Sequence, residues 1–65
     1  MISLKNGMLT DGYNYVDVDE ITSLEQNHHN SFVVISSVKG DEYQTQFNGN
    51  SQDLIDAMTI VNGVQ

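Results

Sequence analysis

The chain has 65 residues, 38% of them hydrophobic, with two lysines, no arginine, nine carboxylates and a formal charge of −7. So few cations leave almost nothing to neutralise phosphates, which supply most sequence-independent nucleic-acid affinity, and nucleic acid is disfavoured as a partner. No cysteine is present, so neither a disulfide nor a thiolate zinc site can reinforce a core that, at this length, buries only about 60% of the unfolded surface.

Along the chain, ISLK and MLT flank Asn6-Gly7, two residues that accept the positive φ of a type I′ turn. A two-residue loop there sets Leu4 opposite Leu9. Asp11-Gly12 marks a second bend, and YNYVDV then alternates, with Asn14, Val16 and Val18 on one side and Tyr13, Tyr15 and Asp17 on the other. At Asp19-Glu20 the parity breaks, because Ile21 and Leu24 are three residues apart. A bulge or a single helical turn accounts for the shift.

QNHHNS, residues 26 to 31, lies between ITSLEQ and SFVVISS, where a hairpin needs a turn of about four residues, and its asparagines suit that turn. FVVIS carries β-branched residues on both faces, which predicts a central strand. Gly40-Asp41 fits a II′ hairpin turn, and EYQTQF follows with Tyr43, Thr45 and Phe47 on one face and Glu42, Gln44 and Gln46 on the other.

After Asn48-Gly49 the period changes. Leu54, Ala57, Met58 and Val61 recur at i, i+3, i+4 and i+7, one face of a helix over residues 51–61. Asn50 serves as N-cap, Asp53 sits at N3 near the positive end of the dipole, and Gly63 stands where an αL C-cap belongs. The expected architecture is α+β: one domain, residues 1–65, with an antiparallel sheet of four to five strands and one C-terminal helix packed on it.

The order of short strand, NG turn, YVDVDEITSLEQ, apolar strand, GD turn, strand and NSQDLI helix resembles the short flagellar-operon proteins of the FlbD type and many small uncharacterised phage and bacterial proteins. The positions that carry the likeness are Ile2, Leu4, Asp17, Ile21, Leu24, Glu25, Gly40, Leu54 and Ile55. These are core and turn positions, and the resemblance implies the sheet-plus-helix fold.

Signs of catalysis are sparse. No serine stands in a G-x-S-x-G elbow, no glycine-rich phosphate loop is present, and the chain is too short to wall off a deep pocket. His28 and His29 are adjacent, whereas a metal centre wants three or four ligands from separated positions, so an exposed turn is expected there and no metal or cofactor. Asp17, Asp19 and Glu20 form the densest acidic cluster. Asp17 and Asp19 would share a strand face roughly 7 Å apart by strand rise, although the calcium-loop pattern is missing and a charged edge that resists wrong strand pairing explains them equally well.

The expected function is a non-enzymatic, acidic protein-interaction or regulatory module, of the kind a phage accessory protein provides. Homo-oligomerisation follows from the small core, and the partner is another protein, with a basic one favoured by the charge. Interaction candidates are Tyr13, Tyr15, Asp17, Asp19, Glu20 and Tyr43. One alternative is a small barrel-like module in which Tyr13, Tyr15, Tyr43 or Phe47 stacks single-stranded bases; another is a nucleic-acid mimic. The opening MISLKNGMLTDG has no basic leader or long apolar run, and nothing approaches the roughly 20 apolar residues of a membrane span. A soluble, cytoplasmic protein is expected.

Overall fold

The computed structural model describes residues 1–64. Six strands, β1 (Ser3–Lys5), β2 (Met8–Thr10), β3 (Tyr15–Asp17), β4 (Ile21–His28), β5 (Ser31–Val38) and β6 (Asp41–Asn48), precede one helix, α1 (Ser51–Val64), and a 3-10 turn over Val18–Glu20 separates β3 from β4. The strands form two antiparallel sheets of three, ordered β1-β2-β3 and β4-β5-β6. The fold is α+β, as the change of period implies. The expectation of one sheet of four to five strands fails at the 3-10 turn, which redirects the chain so that β4 opens a second sheet instead of extending the first.

Asn6 and Gly7 take φ values of 53° and 79°, and Leu4 pairs with Leu9, so the first hairpin is the type I′ turn expected of Asn-Gly. The YNYVDV strand is shorter than its alternation suggests. Only Tyr15–Asp17 pair, and Val18 enters the 3-10 turn while remaining buried. The next two turns differ from expectation by a residue or two. His28 pairs with Ser31, leaving His29-Asn30 as a two-residue connection, with a register shift between Gln26 and His28 supplying the remaining irregularity. The β5–β6 turn is Lys39-Gly40, not Gly40-Asp41: Val38 pairs with Asp41, and φ is 53° at Lys39 and 86° at Gly40. Full pairing of the eight-residue strands displaces the turn by one position.

β5 is the central strand of its sheet, but only one of its faces enters the main core. Phe32 and Val34 are fully buried and belong to a cluster with Ile2, Leu9, Val16, Val18, Ile21, Phe47, Ala57 and Val61. Phe32 and Phe47 are cross-strand partners whose rings tilt at 48° with centroids 5.7 Å apart, inside the range where aromatic pairs gain beyond area burial. On the other face Val33 and Ile35 lie among Ser23, Glu25, Gln44 and Gln46, their cross-strand partners on β4 and β6. Polar neighbours, not a second layer, shelter Ile35 there.

The helix begins with a reciprocal cap. Asn50 Oδ1 accepts from the Asp53 amide and Asp53 Oδ2 accepts from the Asn50 amide, both at 3.0 Å. Gly49 sits just before it in close quarters, since a Cβ there would lie 2.7 Å from the Asp53 Cβ and 3.0 Å from the Phe32 ring. Ala57 and Val61 are buried, with Leu54 and Ile60 packed alongside. Met58 is 46% exposed. It leaves the expected stripe because the helix leans on Ala57 and Ile60. Gly63 is not the αL cap: α1 runs through it to Val64, and its φ is not positive. Among the described residues, no helix is long and apolar enough to cross a membrane.

Candidate functional site

Among the described residues, the Asp11 side chain accepts four hydrogen bonds, and its role lies beyond the bend that Asp-Gly suggests. The residue is 5% exposed. Its Oδ1 accepts from the amides of Tyr13 and Asn14 at 2.9 and 2.7 Å, turning the chain tightly after β2. Its Oδ2 accepts from Asn14 Nδ2 at 3.1 Å and from the Asn48 amide at 2.8 Å, which crosses to β6 in the other sheet. Asn14 Nδ2 also donates to the Gln46 carbonyl at 3.1 Å. The 11–14 loop thus covers the outer edge of β6 at its helix end, at Gln46 and Asn48. Burial raises the Asp11 pKa, but donation from the Asn14, Asn48 and Tyr13 amides and the Asn14 side chain outweighs it and holds the group at about 2, below its ordinary 3.8.

The acidic cluster does not form a paired-carboxylate site. Asp17 ends β3 and caps the 3-10 turn, its Oδ1 accepting from the Asp19 amide at 3.0 Å. Asp19 lies in that turn rather than on the strand, so the two do not share a strand face, and Glu20 follows immediately before β4. His28 and His29 are exposed at the end of β4 and in the turn beyond it. Among the described residues, no three histidine or carboxylate side chains gather as a metal ion would require.

The aromatic candidates divide. Tyr13 is 83% exposed on the 11–14 loop, Tyr15 stands on β3 and Tyr43 on β6, each about half exposed. Phe47 is fully buried against Phe32 and is removed from any stacking platform. Its period-two partnership with Tyr43 made it a surface candidate, but burial deepens along β6 from the turn end toward the helix.

A groove that the sequence did not signal lies between β4 and α1. Ile21, Thr22, Ser23 and Leu24 form one wall and Met58, Val61 and Asn62 the other, enclosing about 290 Å³. That volume sits at the floor of the roughly 300–1,000 Å³ typical of small-molecule pockets. β4 pairs as a strand with β5 alone, so alternate main-chain groups along residues 22–26 face away from the sheet. Register shifts between Ile21 and Ser23 and between Gln26 and His28 leave a short regular stretch over residues 23–26. Thr22, at the first shift, donates its hydroxyl to the Ile35 carbonyl at 3.2 Å. At the other end Gln26 Nε2 donates to Ser51 Oγ at 3.0 Å and ties strand to helix. Only tertiary contact brings these walls together. No protein-family model, curated protein or solved structure matches this chain.

Proposed function

We infer that this protein is a non-enzymatic, acidic interaction module that self-associates and engages another protein. The observation that carries the reading is the number of large apolar side chains the small core does not take. Leu4, Tyr13, Tyr15, Tyr43, Ile55, Met58 and Val64 all stand between 44% and 83% exposed on a chain of 65 residues. Single exposed hydrophobes are ordinary on any surface; so many on so small a molecule favour a protein partner. Tyrosine suits such contacts because its ring buries apolar area while its hydroxyl keeps a hydrogen-bonding partner. With two lysines and nine carboxylates, the surface lacks the cationic groove that base-stacking platforms normally accompany.

Light scattering and sedimentation over a concentration series test the self-association. The expected result is a mass that rises with concentration and an unfolding midpoint that rises with it. A strict monomer with a concentration-independent midpoint would remove the oligomer from the reading.

A further inference from the structure

We propose that the groove between β4 and α1 receives an extended, apolar and basic peptide segment of a partner protein, which adds to the β4-β5-β6 sheet as a fourth strand. The proposal rests on the interaction-module reading and names the surface and the class of partner.

Three features of the groove point the same way. Its β4 wall offers main-chain groups on the open side of the strand, so a strand laid there gains ladder hydrogen bonds. Its walls offer Leu24 and Met58 among Thr22, Ser23 and Asn62, so alternate side chains of that strand can meet these two apolar groups while the intervening ones face away. The regular stretch, residues 23–26, is too short and too closely bounded by register shifts to template arbitrary strands. An occupant must therefore also gain from the helix wall.

Charge decides which occupant. No charged side chain lines the groove itself, so the charges that bear on an occupant are those beside it. Asp19 and Glu20 immediately precede the strand that forms one wall, and Glu25 follows Leu24 along it on the opposite face, where the intervening side chains of an added strand would lie. The 3-10 turn that carries Asp19 and Glu20 packs against α1. The last turn of α1 contains no basic residue to offset its carbonyl end, and Asn62 of that turn lines the groove. The Ile21 end of the groove thus adjoins Glu20 along the chain and the carbonyl end of α1 across it. A second copy would bring its own Glu25 and a charge of −7 to the same edge, a like-charge approach that opposes self-pairing there.

The test titrates the full chain with a short fluorescent peptide alternating valine with lysine, beside valine–glutamate and serine–lysine peptides of equal length, while amide hydrogen exchange follows residues 22–26. The expected result is binding of the valine–lysine peptide alone, weakening as salt rises, with slowed exchange confined to β4 and the facing side of α1. Met58→Lys, a change at a half-exposed position, should weaken binding about tenfold or more, and Glu20→Lys severalfold. Tyr13→Lys, outside the groove, should weaken it less than either. Equal binding of the serine–lysine peptide, or an unaltered affinity in Met58→Lys, would overturn the groove as the site while leaving the scattering result for self-association untouched. Slowed exchange in β4 that grows with protein concentration and without peptide would overturn it in favour of a second copy.

Discussion

The two outer edges of the β4-β5-β6 sheet meet opposite fates. β6 is covered at its helix end: the Asn48 amide donates to Asp11 and the Gln46 carbonyl accepts from Asn14, so two of its outward main-chain groups are satisfied by a loop of the other sheet. β4 has no such cover along residues 22–26, only a side-chain tie from Gln26 to Ser51 at one end and the Thr22 hydroxyl bonded inward at the other. One edge is covered at its helix end by a loop that a buried carboxylate organises, and the other keeps only a short regular stretch beside the groove. An edge can be protected by filling its hydrogen bonds or by limiting its regular length, and this chain uses one method on each side.

The sealed edge should be the costlier one to disturb. Asp11→Ala strands four donors, three of them backbone amides, and is expected to destabilise the fold by about 3 kcal/mol, read as a drop in the urea midpoint at unchanged m-value. A loss no larger than that of an exposed substitution would mean that water replaces Asp11 without difficulty, and the contrast between the edges would collapse.

Acid should weaken the same seal. The folded pKa of about 2 lies below the ordinary value of 3.8, so the unfolded chain binds the proton first. Asp11's contribution is fully present above about pH 4 and is lost as pH falls toward 2. Urea midpoints of the native protein and of Asp11→Asn should therefore stay a constant distance apart from neutral pH down to about 4 and converge below it. A separation that persists unchanged to pH 2 contradicts the assigned role.

Smaller effects belong to the open side. Asn50→Ala removes half of the cap of the helix that walls the groove and should cost about 1 kcal/mol, measured by thermal unfolding. His29→Ala, in the exposed turn after β4, should change stability by less than about 0.5 kcal/mol. A large effect there would reveal a partner for the imidazole and a more ordered β4 terminus than the open edge implies.

Local signals were legible where the residue type and the backbone demand coincide. Asn6-Gly7 specified its turn and the Leu4–Leu9 register, Asn50 and Asp53 specified a helix start, and FVVIS specified a central strand. Signals that depended on counting residues slipped: Lys39-Gly40 turned in place of Gly40-Asp41, and the helix continued through Gly63. Of the residues singled out, Tyr13, Tyr15 and Tyr43 are exposed, Asp17 accepts from the Asp19 amide, and Phe47 is buried against Phe32. Asp11 could have been flagged by DGYN, an acid with an asparagine three residues on in a tight bend. Its bond to Asn48, 37 residues away, could not.

By itself, then, the sequence determined the period of each segment, the chemistry of its turns and the sign of its surface, because those depend on neighbours a few residues apart. Only tertiary structure decided that there are two sheets and not one, which edge is sealed, and that β4 and α1 enclose a groove. Those outcomes depend on where a redirected chain returns, and hydrogen bonds and apolar contacts across tens of residues leave no local pattern to read.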